Sequence, residues 1–356
     1  MRFRPTPALR PVPAIAFALV IALLPACGPS PPPRPNILLV TLDTTRADRI
    51  GAYGFNLAQT QNIDELAQDG VLFENAIASA PITLPAHSSI MTGLLPPAHG
   101  VRDNGAYALS DKAVTLAERL KAAGYETRAF VSAQVLNRRY NLNQGFDSYD
   151  DDLWAEDDPK LFMIRYRQAT GTINKVLQWL EEWTVKPEAE RKPFFTWVHL
   201  FDPHQPYRPP GWARALAPSL YDAEIAYADR ELGRLFARLR ETGQFDNTLI
   251  IVTADHGESL GEHDEKTHAI FVYDATVRVP LIMRYPAALP GNRRYPDPVR
   301  HVDLVPTILG LLKLPGGNAT QGVDLLPAIA GKARLANLPQ FSESLLSEVG
   351  FGMAAL

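Results

Sequence analysis

Three short polar clusters stand at or after apolar runs, and their residue types suit metal-assisted ester chemistry. The run Asn36 to Leu42 ends at Asp43, followed by Thr44-Thr45-Arg46. The run Thr248 to Thr253 ends at Ala254-Asp255-His256-Gly257-Glu258. Between them lies Thr83-Leu-Pro-Ala-His87-Ser-Ser-Ile-Met-Thr-Gly93. Two Asp and one His are suitable ligands for a divalent cation, since carboxylates suit hard ions and imidazole pulls toward zinc or manganese. Thr83 followed by Pro85 fits a hydroxyl at the start of a helix, where free N–H groups and the helix dipole favour an anion. A metal beside that hydroxyl would lower its pKa and make it a nucleophile. Taken singly each cluster has a plainer reading, because an Asp after a strand is often an N-cap and an Asp-His pair is often structural. Their conjunction and order raise the chemical reading above the plain one.

The elements that must position these clusters alternate strand and helix. Strands are expected at Asn36–Leu42, Tyr125–Val131, Phe194–Leu200, Thr248–Thr253 and Arg278–Arg284. Helices are expected at Ile63–Gln68, Thr115–Ala123, Ile173–Trp183, Leu220–Arg240 and Val302–Leu312. This grammar predicts an α/β fold with a mostly parallel central sheet flanked by helices on both faces. Open sheets of this kind place ligands at the C-terminal ends of their strands, where Asp43 and Asp255 fall. The acidic stretch Asp147 to Asp158 reads as a solvated loop, and no internal repeat is visible.

Composition narrows the partners. The 356 residues carry 35 Lys and Arg against 39 Asp and Glu, a net charge of −4, with 46% hydrophobic residues. These are globular values, and the mild acidity argues against a nucleic-acid partner. One cysteine excludes an intramolecular disulfide, a Cys-based zinc finger and an iron–sulfur cluster. Residues 1–13 hold Arg2, Arg4 and Arg10 and no acid; Ala14 to Leu24 is wholly apolar, and Leu24-Pro-Ala-Cys27 follows. Residues 1–26 therefore read as a signal peptide of the lipoprotein type, too short in its apolar run to span a membrane, with Cys27 as the lipid-bearing residue. Residues 27–35 form a Pro-rich linker. The expected location is the bacterial cell envelope, lipid-anchored and facing the periplasm or exterior. Loss of residues 1–26 removes three Arg and no acid, leaving the rest three charges more negative.

Asn36-Ile-Leu-Leu-Val-Thr-Leu-Asp43-Thr-Thr-Arg46-Ala-Asp48 with Gly51-Ala-Tyr-Gly54 resembles the opening of the sulfatase family, part of the alkaline phosphatase superfamily. Pro81 to Gly100 resembles that family's nucleophile segment, and Phe201-Asp-Pro-His204-Gln-Pro-Tyr207 its internal His-containing loop. Thr253 to His263, then His268 and Val277-Arg-Val-Pro280, resembles its second metal-binding segment. The resemblance spans roughly residues 36–310. It implies that Asp43, Asp255 and His256 ligate one divalent metal ion (Zn, Mn or Ca), with Thr83 on that metal as nucleophile. It implies that His204 and His268 contact the bound anion or leaving group, and Arg46 and His87 are further candidates for substrate binding. Thr44 stands where sulfatases often carry a second acid, which weakens the case for calcium.

Sulfatases usually carry Cys or Ser in Cys/Ser-x-Pro-x-Arg, converted to formylglycine. Thr83-Leu-Pro-Ala-His87 has neither the convertible residue nor the Arg, and Cys27 lies in the leader, so no formylglycine is expected. Thr-x-Pro-x-His-x-Ser-Ile-x-Thr-Gly instead resembles the nucleophile segment of phosphodiesterase and phosphoethanolamine transferase relatives, which use an unmodified threonine. Asn104, after His99-Gly-Val-Arg-Asp103, matches a phosphate-binding Asn of the phosphodiesterases. The resemblance thus implies a hydrolase of a phosphate or sulfate ester, phosphoester favoured, acting on a small-molecule, glycan or lipid ester through a covalent Thr83 intermediate. Competing readings are a sulfuric ester hydrolase proper, an envelope phosphoethanolamine-type transferase and a non-catalytic binder of an anionic glycan. The catalytic domain is expected over residues 36–330. Residues 331–356 are expected to begin a C-terminal subdomain that is truncated or absent.

Overall fold

The structure is a computed structural model and describes residues 1–2, 34–153, 165–335, 338–345 and 353–355. Residues 3–26 of the expected leader, Cys27, and residues 154–158 of the acidic stretch lie outside the described residues. Among those described, no helix is long and apolar enough to cross a membrane.

Nine strands form the central sheet. They are β1 (Asn36–Leu42), β2 (Val71–Ile77), β3 (Glu126–Phe130), β4 (Ser148–Asp150), β5 (Phe194–Leu200), β6 (Thr248–Ala254), β7 (Arg278–Arg284), β8 (Arg293–Tyr295) and β9 (Val299–Arg300). The spatial order is β4-β3-β5-β1-β6-β7-β2-β8, with β9 also on β2. β1 lies in the middle, parallel to both β5 and β6. The expected Arg278–Arg284 strand is present but antiparallel to β6 and β2, so the sheet is mostly rather than wholly parallel. β2 was missed in the sequence because its run breaks at Glu74-Asn75, where the ladder with β7 shifts register. The second β-pair is β10 (Ser342–Ser344) with β11 (Met353–Ala355), antiparallel.

The helices are α1 (Gln61–Gln68), α2 (Thr83–Thr92), α3 (Pro96–His99), α4 (Leu116–Ala122), α5 (Ala169–Thr184), α6 (Gly211–Leu216), α7 (Leu220–Glu241), α8 (Asp274–Val277), α9 (Leu304–Leu311) and α10 (Leu326–Ile329). Side chains alternate across a strand, so β1 feeds two cores. Leu38, Val40 and Leu42 pack with α1, α5 and α7 through Ile63, Val176, Leu232 and Phe236. Ile37 and Leu39 pack with α2, α4 and α9 through Leu84, Leu116, Leu120 and Ile308. Both faces of the sheet are covered, as the strand–helix alternation requires. Local signals set the ends: Thr115 closes a capping box with Glu118 at α4, and Ser219 caps α7.

The acidic stretch departs from the expected loop. Ser148–Asp150 is edge strand β4, parallel to β3. Asp150 pairs with Arg167 at 2.6 Å and Lys175 at 2.7 Å, and Asp151 with Arg138 at 2.6 Å. Its carboxylates are answered by cations from elsewhere in the chain, which composition alone does not reveal.

The segment after β5 is fixed by buried carboxyls. Asp202 Oδ2 accepts from the Ala169 amide at 2.8 Å, and Glu224 on α7 accepts from the Arg208 amide. Burial, then the neighbouring Asp202 carboxylate, pushes Glu224 up to about 9. The folded chain therefore keeps a proton that the unfolded chain releases above the ordinary carboxylate range. This group's stabilisation is full below that range and is lost as pH rises toward 9. Glu224→Gln mimics the protonated form, so its melting temperature should fall less than wild type between pH 5 and pH 9. Parallel melting curves across that window would remove Glu224 from this role.

Candidate functional site

Strand register brings the two acidic clusters together. Leu42 is paired with Ala254 across β1 and β6, so Asp43 and Asp255 follow side by side at the C-terminal edge. Adjacent strands lie about 4.8 Å apart, which sets the carboxylates within reach of one ion. Ligand atoms of Asp43, Asp255 and His256 all lie within 4.8 Å of one another, and all three residues are buried.

The donor set fits a divalent cation. Both carboxylate oxygens of Asp43 and Oδ2 of Asp255 are buried with no hydrogen-bond donor. Asp255 Oδ1 is already used, accepting from the amides of Thr44 at 3.2 Å and His256 at 2.9 Å. Burial and the facing Asp255 charge raise Asp43 well above the usual carboxylate range. Orphaned buried carboxylates are costly, and a cation relieves both burial and repulsion. His256 Nδ1 lies 2.9 Å from the Gly257 carbonyl, so Nδ1 carries the proton and Nε2 the lone pair. That Nε2 is 3.4 Å from Asp255 Oδ2 and 3.7 Å from Asp43 Oδ1. Burial holds the ring neutral, the state a ligand needs. A side chain on Gly257 would meet the Ala275 carbonyl at 2.1 Å, which explains glycine after His256.

A second grouping, His87, His199 and Asp255, has the right spacing. His87 is engaged at both ring nitrogens, whereas His199 Nε2 has no hydrogen-bond partner among the described residues. His87 Nδ1 is 2.8 Å from the Thr83 carbonyl and Nε2 is 3.0 Å from Thr41 Oγ1. His199 Nδ1 accepts from the Ser132 amide at 3.3 Å, which leaves its Nε2–H directed at Asp43 Oδ2, 3.5 Å away. These rings pack beside Asp43, Asp255 and Thr83.

Thr83 is the first residue of α2, and its Oγ1 is 3.3 Å from His256 Nε2. Asn104 Oδ1 accepts from the Leu84 amide at 2.8 Å, which fixes the amide so that its NH₂ is the remaining donor. Asp43, Thr83, Asn104, Phe201 and His204 line one cavity of about 260 Å³. His204 stacks on Phe201 at 4.5 Å and faces His268 at 5.0 Å. Its Nδ1 lies 2.5 Å from the Gln205 carbonyl. Burial, then His268, pushes His204 down to about 3, so it is neutral. His268 is 4.5 Å from His256 ring to ring, and its Nδ1 lies 3.2 Å from the buried Glu258 carboxylate.

Asp255, His256, His268, His87 and Arg46 are not among the residues that line the cavity. His87 is fully buried, supporting Thr83 from below through the contacts given above. Arg46 is bound by Asp48 and Glu262, each at 2.7 Å, and by the Glu258 carbonyl at 3.1 Å. Its Nη1 contacts couple the first cluster to the loop after His256. Thr44 takes a left-handed φ of 55°, held by the Asp255 contact and by Tyr221 Oη at 2.6 Å from its carbonyl.

Sequence reading missed Gln134 and Arg139, which also line the cavity. They follow β3, so the rule that ligands bind beyond strand ends would have pointed to them. It also missed His199 and Tyr221, which carry no motif and act through non-local contacts.

Known proteins resemble the chain in family and in fold. The profile of the Sulfatase family matches residues 35–314. An uncharacterized sulfatase, YidJ, of Escherichia coli is 26% identical, covering 82% of this chain and 71% of that protein. An N-acetylglucosamine-6-O-sulfatase of Bacteroides thetaiotaomicron is 24% identical over 85% of this chain and 72% of its own length. Among solved structures, Ps i-CgsB in complex with a neocarrahexaose superposes with a TM-score of 0.76 at 20% identity, covering 90% of this chain and 81% of the other. The phosphonate monoester hydrolase of Agrobacterium radiobacter superposes with a TM-score of 0.71 at 22% identity, covering 87% and 80%. The chain belongs to the sulfatase family, a metal-dependent family of ester hydrolases.

Proposed function

We propose that this sulfatase-family hydrolase cleaves a phosphoester in preference to a sulfate ester, with unmodified Thr83 as nucleophile and Asp43, Asp255 and His256 as metal ligands. The observation that carries the reading is Thr83 Oγ1 at 3.3 Å from His256 Nε2, at the floor of a cavity above two orphaned carboxylates. Zinc or manganese suits two carboxylates, one imidazole and a hydroxyl better than calcium, which takes six to eight oxygens. Such an ion supplies Lewis acidity and lowers the pKa of the hydroxyl beside it.

The chain's own residues do the rest. Thr83 Oγ1 attacks the ester phosphorus in line, forming a covalent ester on Thr83 as the alcohol leaves. The Asn104 amide and the start of α2 hold the developing oxyanion. The proton that Thr83 Oγ1 gives up passes through His268, whose Nδ1 is held by Glu258, to the leaving oxygen, and neutral His204 packs against that ring. Water then cleaves the Thr83 ester. Phe201 and the buried carboxyls behind it keep the His204 segment in place. The substrate is a small-molecule or glycan ester. The site belongs in the bacterial envelope, held there by a lipid on Cys27.

Thr83→Ala should reduce turnover of the best phosphoester by at least about 10³-fold while metal content stays within a few-fold. Retained turnover would refute the nucleophile assignment. Asn104→Ala should lower kcat by about 10²–10³-fold, as for other oxyanion donors; a loss confined to KM would give it a binding role only. Chelation should lower the melting temperature, and Asp43→Asn should erase that metal-dependent difference. A panel of aryl phosphate, phosphodiester, phosphonate and sulfate esters decides the substrate, and fastest turnover of the sulfate would reverse the phosphoester preference. Metal bound with every ester refused would favour a non-catalytic binder.

A further inference from the structure

The cavity above Thr83 does not end at its own wall. Gln134 and Arg139 line both that cavity and a neighbouring one of about 230 Å³, whose lining also includes Asn137, Asp151 and Arg165. The shared wall is fixed. Gln134 Oε1 accepts from the Arg165 amide at 3.0 Å, and the Gln134 amide donates to the Arg165 carbonyl at 3.1 Å. Arg139 donates to Tyr140 Oη at 2.6 Å and stacks on that ring at 4.6 Å, which orients its guanidinium. Neither Arg139 nor Arg165 makes an ion pair among the described residues, and both are exposed. The acids of the second cavity are Asp151 and Asp152. Asp151 is answered by Arg138 at 2.6 Å. With Arg138 counted, three guanidinium groups stand against two carboxylates there.

We propose that Arg139 and Arg165 form a subsite for a second anionic group of the substrate. Resting on the hydrolase reading, this makes the substrate an ester whose leaving alcohol carries a carboxylate or sulfate near the reacting centre. Among the residues lining the Thr83 cavity, Arg139 is the one Arg or Lys, so it is the group placed to answer charge beyond the reacting ester. A planar guanidinium suits bidentate contact with carboxylate or sulfate oxygens. A neutral leaving group would leave both arginines facing solvent.

The test compares phenyl phosphate with 3-carboxyphenyl phosphate, and their non-hydrolysable phosphonates in calorimetric binding, on wild type, Arg139→Ala and Arg165→Ala. The expected result is a preference for the carboxylated member of each pair, about tenfold or more, expressed in KM. That ratio should fall toward one in Arg139→Ala and shrink in Arg165→Ala, with Arg139→Lys restoring part of it. A wild-type ratio near one, or a ratio that both variants preserve, overturns the subsite. The two readings separate cleanly. Turnover without the preference defeats the subsite alone, whereas a binding preference without turnover of either ester defeats the hydrolase reading and leaves the subsite standing.

Discussion

The site depends on one constraint: the register of β1 against β6 sets Asp43 and Asp255 side by side, buried, with three of their four oxygens lacking a donor. Some other buried carboxylates are answered within the chain, as Asp303 is by Arg300 at 2.7 Å, whereas Glu265 also keeps two oxygens without a hydrogen-bond partner. At the strand ends no Lys or Arg pairs with Asp43 or Asp255 among the described residues, and the neutral His256 turns a lone pair toward both. Repulsion and desolvation there destabilise the metal-free chain and are offset when a cation binds. The electrostatics of the pair suit a bound cation.

Around that pair the supports are layered. His199 Nε2 lies 3.5 Å from Asp43 Oδ2 without closing a hydrogen bond, and Thr44 and His256 give their amides to Asp255. Trp197 Nε1 donates to Thr41 Oγ1 at 3.0 Å, Thr41 meets His87, and His87 meets the Thr83 carbonyl. These contacts run from β1 and β5 to the first turn of α2, so the sheet and Thr83 share one framework. The C-terminal strand adds another tie. Glu343 grips Arg102 through two bonds of 2.7 and 2.6 Å, two residues before Asn104.

Much of this was legible in the sequence where period and strand-end position coincide. β1, β5, β6 and β7 show as apolar runs, and Asp43 and Asp255 stand where parallel strands end. Thr83, Asn104 and His204 lie on one cavity, with His256 beside Thr83. What the sequence hid is non-local. The direction of β7 depends on pairing, and β4 depends on cations at Arg138, Arg167 and Lys175 that sit outside its run. Arg46 is read equally as a substrate contact or as an ion-pair partner until Asp48 and Glu262 are seen on it. His87 likewise becomes a support only when Thr41 is placed across from it.

The one cysteine is Cys27, and the proposed function places the reacting group on Thr83. The most direct test is rapid acid quench of the metal-loaded enzyme with excess phosphoester, followed by peptide mass spectrometry. The account predicts a single phosphoryl group on Thr83, formed and lost at rates compatible with turnover. Turnover with Thr83 unlabelled throughout, or with the phosphoryl group on another residue, would contradict it.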